Sequence, residues 1–153
     1  MINRLRYEFA QQGIPLRGSS ETVVEVGDFL VDEVSLLRTL SAADGGKSRG
    51  FGGVLGWAGD EEDGPAKQLL GLASPELLGG RVLIYECEAC RDIWCGGYGV
   101  RVSVLSDTVV WSDFAFVRGD EEMTPLVGVG SFMFYVIDYF ECINKSRNRA
   151  GAP

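Results

Sequence analysis

The residues best equipped for chemistry in this chain are three closely spaced cysteines, Cys87, Cys90 and Cys95. Two thiolates spaced Cys-x-x-Cys can grip one tetrahedral ion from a tight turn, and zinc normally takes four ligands. Cys95 would be the third. With no histidine in the chain, the fourth must be Cys142 or a carboxylate such as Asp92 or Glu88. Cys142 reaches the site only if the last helix packs across the knuckle. The same thiols at a strand end also serve simply as small apolar residues. A redox pair at Cys87 and Cys90 needs a helix N-terminus to lower a thiol pKa, and Gly96-Gly97 with a further strand follow instead.

The missing histidines exclude Ser-His-Asp and Cys-His nucleophiles and any histidine general base. Carboxylates cluster in two runs, Asp60-Glu61-Glu62-Asp63 and Asp120-Glu121-Glu122. Both lie in hydrophilic stretches, where exposed acids of ordinary pKa make weak catalysts but good contacts for a basic surface. Gly46-Lys47-Ser48 looks like the end of a phosphate-binding loop, yet Ser41 stands where that motif needs glycine and a helix precedes it. Trp94, Tyr98 and Trp111 flank the cysteines and the following hairpin. Aromatics in such places are commonly core, while an exposed one beside an acidic loop anchors an interface.

Composition narrows the classes further. With 14 basic and 22 acidic residues the net charge is −8 and the pI about 4.5. Such a surface repels phosphate backbones and favours a basic protein partner. A 46% hydrophobic chain of 153 residues can bury a core without staples, as a single domain spanning residues 1–153. Met1-Ile2-Asn3-Arg4 leads into no apolar core, and no apolar run approaches the roughly 18 residues of a membrane span. A cytoplasmic protein is expected, with its cysteines as thiols or metal ligands rather than a disulfide framework.

The elements that must position these residues read as α+β, with a mainly antiparallel sheet of about five strands and two main helices. Residues 4–10 alternate as a half-buried strand. Residues 21–26 form a second, turned at Gly27-Asp28 into 29–31. Asp32 is the expected N-cap of a helix carrying Val34, Leu36, Leu37 and Leu40, stopped by Gly45. The 21 glycines concentrate over residues 45–80, a long connection holding one or two short helices, one of them starting at Ser74-Pro75-Glu76. Residues 82–87 are apolar on both faces, as in a central strand. The alternation Val100, Val102, Val104 and the run 108–116 form a hairpin about Ser106-Asp107. A loop follows at 120–125, then a closing helix over 132–143 and a frayed end at 148–153.

The succession of Cys95-Gly96, Val100-Arg101-Val102 and Asp107-Thr108-Val109-Val110-Trp111-Ser112-Asp113-Phe114 resembles a widespread uncharacterised family of small bacterial proteins. The likeness extends to Phe132-Met133-Phe134 and Tyr139, and to Leu30-Val31-Asp32, over about two thirds of the chain. It implies a bacterial cytoplasmic protein and transfers no activity. Members of that family carry one or two residues between the first two cysteines and no obvious cysteine in the last helix, which implies that Cys142 is peculiar to this chain and weakens a four-thiol site. By analogy, small acidic proteins of this kind resemble immunity proteins, which neutralise a cognate toxin. The leading expectation is therefore a non-catalytic binding protein without a cofactor. It would cover a basic toxin surface with Asp60, Glu61, Glu62, Asp63, Asp120, Glu121 and Glu122, with Tyr98 or Trp111 as anchor. The alternative is a small zinc protein with its ion at Cys87, Cys90 and Cys95.

Overall fold

The computed structural model of the chain describes residues 1–15, 21–46, 50–56 and 64–147. Among these the fold is α+β, and every strand pairing is antiparallel. Strands β1 (Leu5–Pro15), β2 (Glu21–Val31) and β3 (Val34–Ser35) form a three-stranded sheet in that order. A six-stranded sheet runs β4 (Phe51–Gly53), β5 (Val82–Cys87), β6 (Gly97–Val104), β7 (Thr108–Arg118) and β8 (Glu122–Pro125). Strand β9 (Phe132–Tyr135) pairs with the first half of β7, leaving the second half to β8. The helices are α1 (Leu36–Asp44), α2 (Gly64–Leu69) and α3 (Val136–Arg147).

Aromatic residues join the layers. Phe29 of β2 meets Tyr85 of β5 edge-on at 5.7 Å and Trp111 of β7 at 5.4 Å, so one ring couples the two sheets. The Trp111 indole N–H donates to the Tyr139 hydroxyl (3.1 Å), which donates to the Leu69 carbonyl (2.7 Å). That chain of bonds ties β7, α3 and α2 together and satisfies both polar atoms of otherwise apolar side chains. The hairpin of β6 and β7 and the central position of β5 are as the alternation predicts. Gly45 caps α1 with φ +80°, as expected.

Four local expectations are corrected. Gly27-Asp28 is not a turn: β2 runs through it, and Gly27 is small because a Cβ there would strike the Tyr7 hydroxyl. The turn lies further along, at Asp32 (φ +51°) and Glu33 (φ +67°), where Val31 pairs with Val34. Two non-glycine residues hold left-handed angles there because their side chains are fastened. Asp32 accepts from the Asn3 amide (2.7 Å) and the Arg4 N–H (2.8 Å), and Glu33 pairs with Arg6 (2.7 Å). The helix N-cap is accordingly Ser35, which accepts from the Arg38 N–H, and Val34 is an exposed strand residue.

Residues 132–135 are strand rather than helix. Pairing Phe132 with Trp111 and Phe134 with Val109 buries Phe134 and packs the half-buried Phe132 against the core, which outweighs a helical spacing that also fits. Ser74-Pro75-Glu76 starts no helix, since the chain closes instead on a bridge between Leu77 and Arg81. The connection over 45–80 holds β4 as well as α2. The terminus at 148–153, Lys47 and Ser48 lie outside the described residues.

Candidate functional site

The cysteine turn is built where β5 ends. The Arg91 N–H donates to the Cys87 carbonyl (2.8 Å), and Arg91 takes φ +53° to fold the chain back. The Arg91 side chain is held by Glu86 at 2.6 Å. Asp92 then caps a short 3-10 turn, Ile93–Cys95, accepting from the Trp94 N–H at 3.0 Å. This brings the sulfurs of Cys87, Cys90 and Cys95 within 4.8 Å of one another, Cys87 half-buried and the other two exposed. The sulfurs of Cys90 and Cys95 stand at disulfide distance, but their Cα atoms are 7.3 Å apart, wider than the about 4.4–6.8 Å that disulfides span.

Among the described residues no fourth ligand joins the group. Cys142, expected as a candidate, sits on α3 against the core, where burial pushes its thiol up. Asp92 is occupied as a cap, and Glu88 lies against Gly52 and is not part of the group. The Glu88 side chain is 7% exposed and lies over Gly52 and Val26. Neither carboxylate oxygen has a hydrogen-bond partner among the described residues. Burial pushes its pKa up to about 7, against the pull of Arg91 and with a push from Glu86.

Trp94 occupies the middle of the cysteine turn and is 52% exposed. Its ring lies on Gly119 of the β7–β8 turn. A Cβ at Gly119 would come within 2.5 Å of the ring, and φ there is +56°, so glycine is required for both reasons. The Gly119 N–H donates to the Ile93 carbonyl (3.0 Å), bolting the two turns together. Trp94 and Asp120 border a surface groove of about 460 Å³ whose other walls include Pro65, Gln68, Leu77, Leu78 and Leu83, with Glu76 at its rim.

The expected partner residues separate. Asp120 and Glu121 are exposed in the β7–β8 turn, and Glu122 is tied to Arg118 at 3.5 Å. Tyr98 and Trp111 are corrected: both are fully buried and cannot anchor a partner. The Tyr98 hydroxyl is spent on Asp44, and Trp111 on Tyr139. Asp60, Glu61, Glu62 and Asp63 lie outside the described residues, though Asp63 immediately precedes Gly64, a residue of the groove. The aromatic anchor left to this surface is Trp94, whose signal in the sequence was its place between two cysteines that cannot bury it.

No family model, curated protein or solved structure matches this chain. No helix among the described residues is long and apolar enough to cross a membrane.

Proposed function

We propose that the chain is a non-catalytic protein-binding module of the immunity type, which covers a basic surface of a cognate toxin with the Trp94 groove. The observation that carries this reading is Trp94 itself. A large aromatic side chain stands half-exposed in the wall of a mainly apolar groove that Glu76 and Asp120 also line, with Glu121 exposed next along the chain. Buried aromatic anchors ringed by polar contacts dominate binding energy at protein interfaces. The fixed acids supply complementarity and speed the encounter with a basic partner. The net charge of −8 acts in the same direction.

The test uses the purified full chain and the basic products of adjoining genes. Calorimetry should find one that binds, with affinity falling as salt rises. Trp94→Ala and the double charge reversal Asp120→Lys/Glu121→Lys should each weaken it at least about tenfold. Co-expression of the wild-type chain, but not of Trp94→Ala, should relieve that product's toxicity. Binding indifferent to both variants, or the absence of any binding product, overturns the reading.

A further inference from the structure

The geometry points to a second site that the binding reading does not use: Cys87, Cys90 and Cys95 form a three-thiolate seat for one soft divalent ion of the zinc type, with a fourth position open to water or an added ligand. Three thiolates bound tetrahedrally at about 2.3 Å from zinc stand about 3.8 Å apart. The three sulfurs here all fall within 4.8 Å of one another, so side-chain rotation that spreads the Cys90 and Cys95 sulfurs from disulfide distance would seat one ion among them.

A disulfide explains the cluster less well. It would join two of three converging sulfurs and leave Cys87 idle beside them, and it would have to span Cα atoms 7.3 Å apart. An ion bridges that separation without moving the backbone, because two metal–sulfur bonds are longer than one sulfur–sulfur bond. The backbone around the sulfurs is fixed before any ion arrives. Arg91 closes on Cys87, Asp92 caps Trp94, and the Gly96 N–H donates to the Ile93 carbonyl at 2.9 Å. Cys90 and Cys95 are exposed, which leaves a path for the ion and for a fourth ligand. Binding is charge-balanced: each thiol gives up its proton as it ligates, and three thiolates with a divalent ion carry one net negative charge.

Because Trp94 lies between two of the ligands, occupancy should be visible in its fluorescence whether or not a toxin partner exists. The experiment prepares the full chain anaerobically with reductant, removes the reductant, and titrates zinc or cobalt against a competing chelator. One equivalent should bind, cobalt should develop a thiolate charge-transfer band, and tryptophan emission should change. Trp94→Phe should keep the affinity and lose the emission change. Cys87→Ser, Cys90→Ser and Cys95→Ser should each weaken binding roughly 100-fold, and Cys142→Ser should leave it unchanged. Circular dichroism identifies any variant that fails to fold, and the wild-type stoichiometry stands without the variants. Less than about a tenth of an equivalent bound by the reduced chain overturns the proposal. So does alkylation of only two of the four cysteines in that preparation, or affinity that survives loss of all three thiols.

Discussion

Glu88 offers the sharpest quantitative test of the fold, through the neutral replacement Glu88→Gln. Its carboxylate is buried, lacks a hydrogen-bond partner on either oxygen among the described residues, and titrates at about 7 rather than at the ordinary 4.5. A raised acid pKa means that the folded chain holds a proton the unfolded chain has released. Stability is therefore greatest below the unfolded pKa, falls as pH rises from about 4.5 to 7, and stays at the lower level above. A tenfold difference in proton affinity between the folded and unfolded chains corresponds to about 1.36 kcal/mol. Integrated from pH 5 to pH 8, this one group removes about 2.5 kcal/mol. The assay is urea unfolding of wild-type and Glu88→Gln chains at both pH values. Other carboxylates tilt both proteins alike, so the difference between the two slopes isolates Glu88. The variant should gain about 2 kcal/mol on the wild type between pH 5 and pH 8, whatever its absolute stability, since the buried amide is uncharged at both. Parallel slopes would refute the assignment and mean that the carboxylate finds water or a cation in solution.

Two packing predictions follow from the layer contacts. Gly27→Ala should destabilise by about 1–3 kcal/mol in urea, because its Cβ enters the space of the Tyr7 hydroxyl. Tyr7→Phe in the same chain should recover part of the loss, less whatever its two contacts with Leu55 contribute. Trp111→Ala should cost about 3–5 kcal/mol and remove the one hydrogen bond that the Tyr139 hydroxyl accepts from Trp111, leaving its bond to Leu69, so any binding defect it shows should be matched by lost near-ultraviolet dichroism.

What the sequence made legible is what local pattern decides. Val100, Val102 and Val104 alternate against a short turn, and the hairpin they predict forms. Gly45 can take positive φ, and α1 stops there. Legibility fails where a residue answers to a partner far along the chain. Gly27 looks like a turn glycine until Tyr7, at the far side of the β1–β2 pair, is seen to need its space. Asp32 and Asp28 both have the chemistry of caps, yet Asp32 is taken by Asn3 and Arg4, while Asp28 is half-buried and accepts from Ser35 and Tyr85 at 2.6 Å each. Phe132, Met133 and Phe134 fit a helix or a strand equally well, and only the vacant half of β7 decides between them. The same limit governed the site. Composition could nominate Trp94, Tyr98 and Trp111 alike, but which ring meets water depends on where Gly119 and Tyr139 arrive.

The two proposed roles share one structural logic. An interface anchor is effective in proportion to how little it must be ordered on binding, and an exposed tryptophan on a surface turn has few neighbours to order it. Three constraints do so here. Asp92 fixes the start of the turn, the Gly119 N–H fixes its middle through the Ile93 carbonyl, and the cysteines on either side can be fixed by an ion. Two are hydrogen bonds within the chain and hold without metal. The third is conditional on metal supply and redox state, because oxidised thiols cannot ligate. An ion at this seat would thus strengthen an anchor already in place rather than create one, which is why the metal and the partner can be tested separately although they meet at one side chain.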